Sequence, residues 1–341
     1  MRIFTGYQHG INLGGWLSQC WHSEEHYDSF IGEADIARIA SWGLDHVRLP
    51  IDYNLLETED GTHKESGFAR LHTVLDWCGR YGLNLIFDLH KTAGYSFDAG
   101  ERETGFFDSA AYQERFYVLW ERFAKEFGAY HSRVAFELLN EVTDKSYCDR
   151  WNAIAANCIA RIRAIAPDVT ILIGGYWNNS INALPDLMMP SDDRIVYNFH
   201  CYEPLLFTHQ GAPWVVEMPH ELRVPFPAKT ADYRAVMTPD MEENTFLVGV
   251  QEAENADAEM FIRLFAAAAK LAEERSVPLY CGEYGVIDRA DNESAVHWYQ
   301  AIHDAFEAYG IGRAAWSYRR MDYGVTDPCR EAVADQIIAL L

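Results

Sequence analysis

The chain has 341 residues, 49% of them apolar, which suits a large core and the size of an α/β barrel with insertions. Lys and Arg total 28 against 51 Asp and Glu, and the resulting net charge of −23 argues against nucleic acid and anionic membrane as partners, since phosphate binding needs a basic surface. Seven cysteines at no zinc-ligand spacing read as free thiols of a reducing compartment, and the opening MRIFTGYQHGINLGGW has no apolar leader, so the expectation is a cytoplasmic protein, secreted only if a leader has been removed.

Short apolar runs alternate with amphipathic segments along the chain. Strands are expected at 9–13, 45–49, 84–89, 134–139, 169–174, 194–199, 278–283 and 312–317. Helical patterns fall near 33–41, 67–80, 110–127, 147–165, 257–275 and 293–309, with a last helix over 330–341. The stretch after strand five is less clearly helical. Eight such strands with helix-length connections predict an α/β fold, a (β/α)8 TIM barrel, in one domain over 1–341. A dinucleotide fingerprint GxGxxG is absent after the first strand, where NLGGWL stands instead. The connection from Glu203 to Ala256 is 54 residues long, rich in Pro and aromatics. It reads as an inserted subdomain or lid, with a short helix near Ala231–Val236, walling one side of the cleft.

In such a barrel the site gathers at the C-terminal strand ends. Strand two ends near Arg48, strand three in Asp88-Leu89-His90, and strand four in Asn140-Glu141. Strand six ends in His200 and Tyr202, strand seven in Glu283, and strand eight carries Trp316. Two carboxylates facing each other over a barrel mouth are what glycoside hydrolysis requires, one to protonate the leaving oxygen and one to attack or to activate water. Arg48 beside one Glu would keep it ionised, and Tyr202 would donate to the same carboxylate. Taken singly, each has a plainer reading: Arg48 as an interior ion-pair partner, His90 and His200 as satisfied barrel histidines, Glu283 as a turn residue, Trp316 as core. Their joint occurrence at strand ends favours the chemical reading.

The motifs HVRLP, NE after an apolar strand, NFHCY, GEYG and AWSY, in that order, resemble family five of the glycoside hydrolases, and within it the clostridial endoglucanase C type. The resemblance spans essentially the whole chain, including the insertion after strand six. It implies Glu141 as acid/base and Glu283 as nucleophile in a retaining double displacement. Arg48 and Tyr202 would hold Glu283, and His200 would sit near the pair. Asn140 and His90 would bind sugar hydroxyls, with Trp316 stacking beneath the ring. The stretch DLHKTAGYSFD departs from the DxHHxPG of close relatives, with Lys91 in place of the second His and Ala93 in place of Pro. A cation at Lys91 bears on the sugar held beyond the cleavage point. Trp177, in GGYWNNS, is either a further stacking surface or plain packing.

The implied substrate is a β-1,4- or mixed-linkage β-glucan or its oligosaccharides, handled by a monomer without cofactor or metal. An exo-acting β-glucosidase or β-mannosidase on imported oligosaccharides is the alternative, because the insertion and the loop Ser96–Phe107 are placed to close one end of the cleft. Two readings from other classes are a metal-dependent barrel hydrolase using His90 and His200, and a non-catalytic carbohydrate-binding barrel. The first has no HxH at a strand end and no HExxH, and the second would have lost one of the paired Glu.

Overall fold

A computed structural model describes all residues of the chain except Ala99 and Arg102. Eight strands run parallel: β1 His9–Asn12, β2 His46–Asp52, β3 Asn84–Lys91, β4 Val134–Glu137, β5 Thr170–Ile173, β6 Ile195–Cys201, β7 Leu279–Tyr284 and β8 Gly312–Ala315. They close into a barrel in chain order, with β1 paired to both β2 and β8. The expected (β/α)8 architecture is therefore present. Among the described residues no helix is long and apolar enough to cross a membrane.

Side chains alternate between two cores, as strand period dictates. Val47, Leu49, Leu85, Phe87, Phe136, Phe199 and Cys281 belong to the large cluster between barrel and helices. Ile86, Ala135, Leu172, Val196, Tyr280 and Ala314 form a small plug inside the barrel. Above that plug the inward positions turn polar, with Arg48, Asp88, Glu137 and Asn198 all fully buried. An apolar floor beneath a polar upper layer is what raises the chemistry to the C-terminal mouth.

The outer helices include α1 Glu33–Ser41, α2 Glu65–Arg80, α3 Ala110–Phe127, α4 Cys148–Ile165, α5 Ala258–Arg275 and α6 Asn292–Tyr309. Side-chain caps start several of them: Ser109, Asp257 and Asp291 each accept from a first-turn N–H. Left-handed residues at Ser276 and Gly310 end α5 and α6. Two short helices, Glu24–Phe30 and Tyr53–Leu56, carried no sequence expectation.

Three expectations shift, and the stretch after strand five, read as less clearly helical, takes its own form. Strand four stops at Glu137 rather than 139, although Asn140 still donates to Leu89 O at 3.2 Å and stays tied to the barrel. Strand eight stops at Ala315, and the Trp316–Ser317 peptide is cis. After β5 there is no long helix but a left-handed turn with positive φ at Trp177, Asn178 and Asn179, then a 3-10 turn over Ile181–Asp186. The helix expected over 330–341 is reduced to Ala334–Ile338, because the buried Arg330 guanidinium binds the carbonyls of Ala290 and Ile287 and holds the preceding chain in a 3-10 turn. Between Glu203 and Ala256 lie the short helices Leu205–Thr208, Thr230–Val236 and Glu243–Phe246, and an antiparallel pairing of Ala228–Lys229 with Asn255–Ala256.

Candidate active site

Two register shifts aim side chains into the mouth. On β7, Phe199 pairs with Cys281 but His200 pairs with Glu283, which leaves Gly282 as the extra residue of a bulge. A Cβ on Gly282 would lie 2.7 Å from Asn198 Oδ1, so only glycine fits between the strands there. The bulge restores the inward aim of Glu283 after the outward Cys281. On β3, Ile51 pairs with Leu89 but Asp52 pairs with Lys91, so the consecutive residues His90 and Lys91 both reach the mouth.

The fully buried Arg48 organises the floor. Its Nε and Nη2 bind both oxygens of Glu137 at 2.7 Å each, a bidentate pair across the barrel. Nη1 donates to Asn12 Oδ1 and to Glu283 Oε1, both at 2.9 Å, and Nη2 donates to Asn140 Oδ1 at 2.7 Å. Asp88 Oδ2 lies 3.0 Å from Nη2. Burial opposes the charge of Arg48, but Asp88, Glu137 and Glu283 overcome it and raise its pKa well above the ordinary value. Glu137 also accepts from Asn198 Nδ2 at 2.8 Å, and Asn12 donates to the carbonyl of Gly282 at 2.8 Å. Arg48 is thus an interior ion-pair partner that fixes Glu137, Asn140 and Glu283 at once.

Glu141 and Glu283 sit in unlike surroundings. Glu283 takes a charged hydrogen bond from Arg48 on one oxygen and a 3.0 Å bond from the Tyr202 hydroxyl on the other. Among the described residues Glu141 meets no Lys or Arg at contact distance: Asn178 Nδ2 donates to its Oε2 at 2.7 Å, and His200 Nδ1 stands 2.7 Å from its Oε1. Burial raises the Glu141 pKa, and the Asn178 hydrogen bond only partly offsets this. His200 also lies 3.6 Å from Glu283. Burial lowers its pKa to about 4, so the ring is neutral at pH 7. Asn179 Nδ2 is 3.3 Å from Nε2, an arrangement that assigns the ring proton to Nδ1, donated toward Glu141. One oxygen of Glu141, one of Glu283 and a ring nitrogen of His200 all lie within 4.8 Å of one another.

His90 and Trp316 stack in parallel, ring centroids 5.7 Å apart and planes 2° from parallel. His90 Nδ1 is 2.6 Å from Asp88 Oδ2, Phe97 stands edge-on to it, and burial lowers its pKa to about 4. Of the ten side chains singled out in the sequence, six belong to one hydrogen-bonded group, in which Asn179 bridges Asn140 and His200: Arg48, Asn140, Glu141, His200, Tyr202 and Glu283. His90 joins it through Asp88. Lys91 and Trp177 do not touch the carboxylates. Lys91 pairs with Glu101 and lies 3.8 Å from Asp52. Trp177 is half exposed, edge-on to Tyr176, with Lys145 Nζ 5.5 Å from its ring.

Sequence reasoning passed over Glu137, Asn12, Asn198 and Asn178. The signal for Glu137 was present, since it is the one charge inside a buried apolar run. Asn178 had a fainter signal in the doubled Asn of WNNS, because Asn tolerates the left-handed backbone that this turn needs.

The cellulase (glycosyl hydrolase family 5) model matches residues 5–322. The chain belongs to glycoside hydrolase family five. It is a glycosidase, as the strand-end carboxylates predict. Cellodextrinase A of Ruminococcus flavefaciens is 48% identical over 304 residues, covering 89% of this chain and 83% of that protein. Endoglucanase C of Acetivibrio thermocellus is 37% identical over 341 residues, covering 99% and 98%, which bears out the resemblance to the endoglucanase C type. Among solved structures, Thermotoga maritima Cel5A in complex with mannotriose superposes with a TM-score of 0.77 at 24% identity, over 98% of this chain and 97% of that one, a likeness of fold.

Proposed function

We propose that this family-five enzyme cleaves β-1,4- or mixed-linkage β-glucan and its oligosaccharides by double displacement, with Glu283 as nucleophile and Glu141 as acid/base. The observation that carries the reading is the pair itself, one oxygen of each carboxyl group lying within 4.8 Å of the other. Retaining glycosidases hold their carboxyl groups about 5–5.5 Å apart, whereas inverting ones need roughly 6.5–9.5 Å to admit a water. The unlike surroundings support the division of labour. Arg48 and Tyr202 supply a positive charge and a donor to Glu283, which attacks the anomeric carbon as an anion. Glu141, whose pKa burial raises, delivers its proton to the leaving oxygen and later takes one from the water that hydrolyses the glycosyl-enzyme. The neutral His200 steadies Glu141 without competing for its proton.

Asn140 spends its amide oxygen on Arg48, which leaves Nδ2 to donate to a hydroxyl of the sugar being transferred. His90 serves another hydroxyl, and Trp316 stacks beneath the ring. Lys91 and Trp177 act on sugars further from the bond. The insertion over 203–256 walls the cleft: His209 stands edge-on to Tyr202 at 5.0 Å, with Trp214 beyond it. A divalent metal at Glu141, His200 and Glu283 is disfavoured by charge, since Arg48 already holds a cation on Glu283. Seven cysteines, none paired among the described residues, support a reducing, cytoplasmic setting and hence short imported glucans.

An exo-acting β-glucosidase or β-mannosidase is favoured by one observation, the edge-on contact of Phe97 on His90, which places that aromatic ring at the cleft. A product profile on defined β-1,4-gluco-, mixed-linkage gluco- and β-1,4-manno-oligosaccharides separates the readings. The expected result is internal cleavage of gluco-oligosaccharides, with little action on manno-oligosaccharides. Stepwise release of single sugars, or a preference for mannosides, would overturn the proposal.

A further inference from the structure

Glu141 lies beyond Glu137, the last residue of β4, where the ladder with β3 and β5 no longer holds the backbone. A group that must hand a proton to one oxygen tolerates little play, since a misplacement of about 1 Å can cost roughly 10²-fold in rate. The segment is fixed instead by groups from the two neighbouring loops. From the loop after β5, Asn179 Nδ2 donates to the carbonyl of Asn140, and the Asn178 N–H donates to the carbonyl of Val142 at 3.0 Å. From the loop after β3, the Tyr95 hydroxyl takes the residue between them. It donates to Glu141 O at 2.8 Å and accepts from the Thr143 N–H at 2.9 Å, with Thr143 Oγ1 at 3.3 Å. A phenol has one proton to give and lone pairs to receive, so one oxygen closes a bridge over residues 141–143, much as the backbone of an adjacent strand would.

The hydroxyl is itself held in place. Tyr95 is buried, its ring edge-on to Phe107 at 5.0 Å, and Phe107 stacks on Tyr147 at 4.1 Å. Directly after β3, Thr92 and Tyr95 exchange both backbone hydrogen bonds, at 3.2 and 2.9 Å, which closes a tight turn. Gly94 in that turn has φ +80, and a Cβ there would lie 2.7 Å from the Tyr112 ring. The Gly94 N–H donates to Glu103 Oε2 at 2.9 Å, and its carbonyl accepts from the Phe106 N–H at 3.0 Å. The mechanism above uses neither Tyr95 nor Thr143.

We propose that Tyr95 is a positioning residue for Glu141, its hydroxyl bridge to Glu141 O and the Thr143 N–H setting where the acid's carboxyl group stands over the leaving oxygen. Asn178 holds the carboxyl group itself, and Tyr95 holds the backbone that carries it. The loops after β3 and β5 thus clamp the loop after β4 from its two sides. The inference rests on the proposed role of Glu141 as acid/base and adds the residue that aims it.

The test compares kcat/KM on 2,4-dinitrophenyl and phenyl β-cellobioside for wild type, Tyr95→Phe and Glu141→Ala. Dinitrophenolate departs as a stable anion and draws little on the acid, whereas phenolate needs the proton. The dinitrophenyl-to-phenyl ratio should rise about tenfold in Tyr95→Phe, a share of the roughly 10²–10⁴-fold that a positioned acid contributes and that Glu141→Ala should lose. Phe keeps the ring in its aromatic box, and a change in the folded fraction cancels from a ratio read within one protein. If Glu141→Ala raises the ratio and Tyr95→Phe leaves it unchanged, even with both rates lowered, the inference is overturned and the reading of Glu141 stands. If Glu141→Ala leaves the ratio unchanged, Glu141 is not the acid, and the inference falls with that reading.

Discussion

Glu141 and Glu283 are the same functional group made different by what surrounds them. Asn178 Nδ2 donates to Oε2 of Glu141, a hydrogen bond that favours the charged form of the carboxyl group. Removing that donor raises the Glu141 pKa further. Because the proposed first step needs Glu141 protonated, the alkaline limb of the kcat/KM profile should move to higher pH in Asn178→Ala. The acid limb should stay in place. A profile that only drops in height, with both limbs unmoved, would mean that Asn178 merely shapes the turn. This residue was legible only faintly in WNNS, because its role depends on a left-handed turn that brings the loop after β5 over a carboxylate on the loop after β4.

At the scale of elements, the strands act as a frame for one guanidinium. Arg48 on β2 and Glu137 on β4 form a fully buried bidentate pair, and the same Arg reaches β7 through Glu283 and β1 through Asn12. Removing one partner of such a pair leaves an uncompensated buried charge. Glu137→Ala should therefore cost about 3–5 kcal/mol of unfolding free energy, measured by denaturant titration, and should lower kcat as Arg48 loses its anchor. A loss below about 1 kcal/mol would show that Asn198, Asp88 and water can carry the charge instead. The eight strands and six outer helices were legible because period-two and period-3.6 patterns survive in the sequence. Glu137 was visible but unassigned, since a charge in a strand declares burial only once its partner 89 positions away is known. The bulges were not legible. Gly282 in CGEYG looks like a turn glycine, and only the pairing of His200 with Glu283 makes it the extra residue that aims Glu283 into the mouth.

At the scale of the molecule, the barrel gathers at one mouth groups that lie from residue 12 to residue 316, and it does so within one chain. The end of the chain was read less well, because the expected helix over 330–341 ignored the buried Arg330 and the carbonyls it satisfies. The central claim, that Glu283 attacks and Glu141 transfers the proton, is tested most directly by azide rescue of two variants on an aryl β-cellobioside. Glu283→Gly should be inactive alone and should yield the α-glycosyl azide when azide is added, because the anion enters from the vacated nucleophile face. Glu141→Ala should yield the β-glycosyl azide, formed when azide attacks the glycosyl-enzyme in place of water. The reverse pairing of variants and anomers, or near-normal hydrolysis by Glu283→Gly without azide, would contradict the account.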